Sequence, residues 1–131
     1  MTIKQHFEEL QHNVPSLVKL FARGTGAGGA SLTSVKGVPS IAWVSTGKYT
    51  VNLPRKFAGL VGVRGTVVNS AGTTLSQVFP SAEAVAASGT ITIEVFGATT
   101  GVAPARRDLT TADILLLEID LMDSAQKPAL F

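Results

Sequence analysis

Ile41-Ala42-Trp43-Val44-Ser45-Thr46-Gly47-Lys48-Tyr49-Thr50-Val51-Asn52-Leu53 sets two runs of alternating side chains on either side of a Thr-Gly pair. Successive side chains of an extended strand point to opposite faces, so Tyr49, Val51 and Leu53 share one face while Lys48, Thr50 and Asn52 share the other. One face is core and the other is wet. Thr46-Gly47 supplies the tight turn, and the stretch reads as an antiparallel hairpin.

The period of two continues outward from this hairpin, with β-branched residues and turn signals recurring at short intervals. Residues 31–36 form a strand before it, separated by Gly37 and Pro39. Residues 54–58 break the sheet, and residues 60–69 follow as a longer strand, with Val61, Val63 and Val67 inward and Arg64 and Thr66 outward. Ser70-Ala71-Gly72-Thr73 is a turn. Residues 74–79 read as a shorter strand, and residues 81–88 as an alanine-rich loop or a single helical turn. Residues 90–96 alternate again, with Ile91, Ile93 and Val95 inward, and residues 97–111 are loop. Residues 114–122, ILLLEIDLM, close the fold. Their core face is Leu115, Leu117, Ile119 and Leu121, while the other face turns from Ile114 and Leu116 to Glu118 and Asp120. Such a strand is expected to be covered on both sides over its first half.

Upstream, residues 16–22 read as a first strand and residues 24–29 as a glycine-rich link. In residues 2–13, Ile3, Phe7 and Leu10 fall at helical spacing with Lys4, Glu8, Glu9 and Gln11 on other faces, which fits a short amphipathic helix or an ordered arm. The expected organisation is an arm, first strand and link over residues 1–29, a sandwich domain over 30–123 and a tail over 124–131. The fold class is all-β, an antiparallel β-sandwich of seven or eight strands.

Composition narrows the function classes. At 131 residues one core is expected. Only 15% of residues are charged and 45% are hydrophobic, against about 25% charged in an average soluble domain. Either small polar residues cover the surface, or part of it is buried between subunits. The net charge of +2 comes from 11 scattered basic residues, with only Arg106-Arg107 and Arg55-Lys56 adjacent, so no nucleic-acid stripe is expected. No cysteine is present, which excludes disulfides and thiolate metal sites. The acidic residues of MTIKQHFEEL interrupt what would be the apolar core of a signal peptide, and no apolar run is long enough to span a membrane, so neither standard export nor membrane insertion is expected.

The chemical motifs are sparse. Gly24-Thr25-Gly26-Ala27-Gly28-Gly29 spells the dinucleotide fingerprint, but strand and turn follow it where a helix should offer its N-terminus to a pyrophosphate, and no Lys-Ser/Thr completes a phosphate loop. It reads as a connector that needs glycine dihedrals. His6 and His12 are the only histidines, confined to the arm and not at i, i+4, so no metal or general base is expected, and no serine has a histidine to activate it. Glu118 and Asp120 share a strand face and read as a solvated or ion-paired face before they read as paired catalytic carboxylates. Around Arg106-Arg107-Asp108, Asp108 and Thr110 are placed to bind local backbone N–H groups in a turn, while the arginines are candidates for contact with an acidic partner surface. Trp43 reads as core, with a sugar-stacking platform as the alternative.

The order of Lys48-Tyr49-Thr50-Val51-Asn52-Leu53 after Thr46-Gly47, the strand at 60–69, the strand at 90–95, and Asp108-Leu109-Thr110 before a closing apolar strand resembles small virion structural proteins of tailed bacteriophages, especially capsid decoration (cement) proteins. The resemblance covers about residues 40–123. It implies a jelly-roll-like sandwich that assembles as homodimers or homotrimers on the outer surface of the virion shell and clamps neighbouring major capsid protein subunits. No catalytic residue, cofactor, nucleic acid or membrane comes with it. The expected interface residues are Ile3, Phe7 and Leu10 of the arm with Arg106 and Arg107. A head-fibre or tail component, a carbohydrate-binding module using Trp43, and a glycan-cleaving enzyme using Glu118 remain as alternatives.

Overall fold

A computed structural model describes residues 17–72, 74–98 and 103–123; the arm residues Ile3, Phe7 and Leu10, both histidines and the tail from 124 lie outside them. The described residues form nine strands: β1 (Leu17–Thr25), β2 (Thr33–Lys36), β3 (Ser40–Ser45), β4 (Lys48–Asn52), β5 (Gly59–Asn69), β6 (Leu75–Ala84), β7 (Thr90–Ala98), β8 (Ala105–Arg106) and β9 (Asp113–Met122). Two antiparallel sheets pack face to face as a β-sandwich. The first runs β2-β1-β9-β5 and the second β3-β4-β7-β6, with the two-residue β8 added to β7.

The period-two pattern decides which side chains meet. Ala22, Leu115, Leu117, Ile119 and Leu121 point inward from the first sheet and meet Ile41, Tyr49, Val51, Ile91, Ile93 and Val95 from the second. All eleven are buried, and most are fully so. Burial at about 25 cal/mol per Å² makes this layer the main source of stability. Leu53, Phe57 and Val85 close the core near one end of the strands, where the Phe57 N–H donates to the Val85 carbonyl at 3.5 Å. Leu109 closes the other end and is fully buried.

β5 and β6 lie at the same side of the sandwich, each at the edge of its own sheet, and Gly65 lets them approach. A Cβ at Gly65 would stand 2.7 Å from Val78 Cβ and 3.0 Å from Leu117 Cδ2. Gly65→Ala should therefore push the two edges apart and cost about 1–3 kcal/mol, read as a lowered thermal midpoint. An unchanged midpoint would show that the sheets close in some other way.

Several local expectations give way. β1 continues three residues beyond 22 and pairs with β9 over nine residues, so it lies within the first sheet although it was grouped with the arm. β6 runs through Pro80 to Ala84 where a loop from 81 was expected. As an edge strand it can carry a proline, and the ladder absorbs the disturbance as a bulge between Pro80 and Ala82. The turn that remains spans 85–89, with Ser88 and Gly89 N–H donating to the Ala84 carbonyl. Val61 was expected inward and is 48% exposed. A bulge between Leu60 and Gly62 inserts one residue, so Leu60 and Val63 face the core and Val61 turns out.

Candidate functional site

The outer face of the first sheet sets exposed apolar side chains beside paired charges. The alternation that buries Leu115, Leu117, Ile119 and Leu121 sends Ile114, Leu116, Glu118, Asp120 and Met122 outward from β9. Register with both neighbours arranges this face in rows across β1, β9 and β5: Lys19-Asp120-Gly62, Phe21-Glu118-Arg64, Arg23-Leu116-Thr66 and Thr25-Ile114-Val68. Phe21 is 66% exposed, and Leu116, Val68 and Leu17 are exposed with it. A shallow concavity of about 290 Å³ lies between Phe21, Arg64, Thr66, Leu116 and Glu118. The sequence leads one to expect a strand covered on both sides at Ile114 and Leu116. Within a single described chain only one side is covered.

The charged part of the face is organised around Lys19. Its Nζ lies 2.7 Å from Glu118 Oε1 and 3.8 Å from Asp120 Oδ1. The hydrogen bond from Lys19 holds the Glu118 carboxyl below the usual range, and the bond to Glu118, with the nearby Asp120 charge, raises Lys19. A carboxyl kept ionised in this way is a poor general acid for glycan cleavage. The pair is thus the ion-paired strand face that the sequence suggests. Arg23 and Arg64 make no ion pair among the described residues. Asp123, just past the end of β9, bonds Arg55 at 2.6 Å.

The loop of 107–112 is tied to its own domain. Arg107 donates to Ser76 Oγ and to Asp113 Oδ2, each at 2.6 Å. Asp113 is fully buried and also accepts from Asn69 at 2.8 Å and from the Thr110 N–H at 2.8 Å. Burial pushes its carboxyl up, but the donors from Arg107, Asn69 and Thr110 outweigh this and hold it below the ordinary value. Asp108 Oδ1 accepts from Trp43 Nε1 at 2.8 Å and from the Gly47 N–H at 2.9 Å, so it staples the hairpin turn instead of a local one. Thr110 does act locally, accepting from the Ala112 N–H at 3.3 Å. The buried Tyr49 hydroxyl accepts from the Leu109 N–H at 2.9 Å, and burial pushes the phenol up.

Of the expected interface residues, Ile3, Phe7 and Leu10 lie outside the described residues. Arg106 is half exposed and paired with Glu94, whereas Arg107 is turned into the network above. Trp43, expected in the core, is 37% exposed, because β3 is an edge strand and its indole reaches out to Asp108. The fingerprint glycines form a connector. Gly24 lies in β1, the Gly26 and Gly28 N–H groups donate to Asp113 and Leu109 carbonyls, and Gly28 and Gly29 adopt φ of 61° and 73°. Among the described residues no three His, Asp or Glu side chains converge to hold a metal.

A second exposed apolar group lies where β6 meets β7. Leu75 is 82% exposed, and Phe79 and Phe96 meet edge to face with centroids 5.9 Å apart. Sequence reasoning passed over Phe21, Val68 and Leu75. A signal for Phe21 was present, since residues 17–22, LVKLFA, are apolar at both parities and so announce a strand with two apolar faces. No protein family, curated protein or solved structure matches the chain.

Proposed function

We propose that this chain is a virion structural protein that assembles through the outer face of its first sheet and binds the capsid shell as a decoration (cement) protein. The observation that carries the assembly is β9. It is apolar on both faces over residues 114–117, yet among the described residues only the inner face is covered, leaving Leu116 exposed beside Phe21 and Val68. An apolar patch of that kind, rimmed by charge, is normally an interaction surface. Low overall charge favours close subunit packing. The strand order, in which the chain crosses between sheets after β2, β4, β5 and β8, supports a jelly-roll-like winding. The phage resemblance over residues 40–123 supplies the major capsid protein as partner and the outer shell of the virion as location.

The test has two arms. Light scattering should give a mass that is a multiple of 13.6 kDa, and the protein should sediment with intact capsid shells. Phe21→Asp should lower that mass and leave the melting midpoint within a few degrees, because an exposed substitution costs the fold at most about 0.5 kcal/mol. A monomeric wild-type chain that also stays in the supernatant would overturn the reading. Sedimentation with fibres or tails alone would move the protein to another part of the virion.

A further inference from the structure

We infer that the end of the sandwich around Trp43 is a saccharide-binding site, in which the indole is the stacking platform and Asp108 accepts a bond from a sugar hydroxyl. Trp43 belongs to the second sheet, away from the outer face of the first. The site is additional to the assembly surface and does not rest on it.

Three connecting segments meet at this end. From the glycine-rich link, the Gly28 N–H donates to the Leu109 carbonyl at 2.8 Å. From the turn between β3 and β4, the Gly47 N–H donates to Asp108 Oδ1 at 2.9 Å. Trp43 donates twice, from Nε1 to the same Oδ1 at 2.8 Å and from its main-chain N–H to Ser31 Oγ at 3.1 Å. These bonds set the orientation of the ring before a ligand arrives, which lowers the ordering cost of binding. Cross-strand partners share a face of the sheet, and Trp43 pairs with Tyr49. Tyr49 is fully buried, whereas Trp43 keeps 37% of its surface in solvent. A rigid, partly wet tryptophan among loops carried on a sheet scaffold is a placement suited to recognition.

The groups left unused around the ring define the ligand. Asp108 Oδ1 is taken by two donors, while Oδ2 has no partner among the described residues. Gly29 carries no side chain beside it, and a Cβ there would stand 3.5 Å from Oδ2. The adjacent arginines are committed elsewhere, Arg106 to Glu94 and Arg107 to Asp113, so neither neutralises Asp108. Ser31 accepts from Trp43 and keeps its own hydroxyl proton to donate. A pyranose ring meets all three requirements: its C–H face lies on the indole, one edge hydroxyl donates to Oδ2, and another accepts from Ser31. A purely apolar ligand would strip water from Oδ2 without replacing it. The net charge of +2 works against a cationic ligand.

The chain has a single tryptophan, so its fluorescence reports the site directly. Full-length protein titrated with hexamers of glucose, N-acetylglucosamine and mannose should show a saturable change in emission with at least one of them. Asp108→Asn keeps one oxygen for Trp43 and Gly47 but puts an amide NH2 in place of the free acceptor. It should bind that sugar roughly tenfold more weakly and melt within a few degrees of wild type. Trp43→Ala, followed by calorimetry, should lose binding. No saturable change with any of the hexamers overturns the proposal. So does binding that survives Asp108→Asn unweakened, which would place the sugar elsewhere. A stronger response to N-acetylarginine amide than to any hexamer would make the site a seat for a cation, and overturns it too. None of these outcomes alters the mass or the capsid sedimentation that tests the assembly surface, so each reading can fail without the other.

Discussion

Leu117→Asp is expected to destabilise the domain by more than about 3 kcal/mol, enough to leave much of the protein unfolded or insoluble at 37 °C. Leu117 is 3% exposed, lies in the middle of β9 and stands beside Gly65, where β5 and β6 close on each other. A carboxylate there has no cation within the core and no route to water, so it must be buried unpaired or carry a proton. Leu116→Asp, one residue away, points outward and should be tolerated by the fold while abolishing assembly. Comparing the two by circular dichroism melts and light scattering separates the inner from the outer face of a single strand. A lower melting midpoint for Leu116→Asp than for Leu117→Asp would mean that β9 faces the other way.

Arg107→Met should cost about 3 kcal/mol, or roughly 10 °C in melting midpoint, because it leaves the fully buried Asp113 carboxylate without its cation. The loss is moderated by Asn69 and Thr110, which still donate to Asp113. The same network sets a pH dependence. Asp113 titrates lower in the folded chain than its ordinary value of 3.8, so its contribution is full above that value and is lost as pH falls through the lower folded value. Removing the Arg107 charge leaves burial less opposed and raises the folded value. With the folded value closer to 3.8 less stability hangs on keeping Asp113 ionised, so the variant, already lower in midpoint at pH 7, should lose less further midpoint than wild type when melts are run from pH 7 down to 2. Parallel curves would place the linkage on another carboxyl.

The strands were legible where one face is apolar and the other polar. Residues 48–52 and 90–95 alternate cleanly, and their inward sets, Tyr49 with Val51 and Ile91 with Ile93 and Val95, are all fully buried. Departures arise where backbone register overrides side-chain parity. The one-residue bulge beside Leu60 reverses Val61, and Pro80 reads as a strand terminator until β6 is known to be an edge. Long-range bonds were illegible for a different reason. Asp108 looks like a local turn residue, but its partners Trp43 and Gly47 lie more than sixty residues away. The candidate face was half legible. The double-sided apolarity of 114–117 was plain, but its lack of a cover appears only when Phe21 and Val68 are seen flanking Leu116.

The pairing of Leu17 with Met122 also fixes how the sandwich responds to force. β1 and β9 run antiparallel, so the start of one and the finish of the other sit side by side at the same end of their ladder. Tension that draws these two points apart acts across the strands, along the direction of the hydrogen bonds, and loads them one pair at a time from Leu17 toward Thr25. The ladder opens like a zip and yields at low force, whereas traction applied lengthwise between Leu17 and the opposite end of β9, at Asp113, would strain all nine pairs together. Held at the start of β1 and the finish of β9 the sandwich would peel early, and gripped by its sheet faces it would be tough.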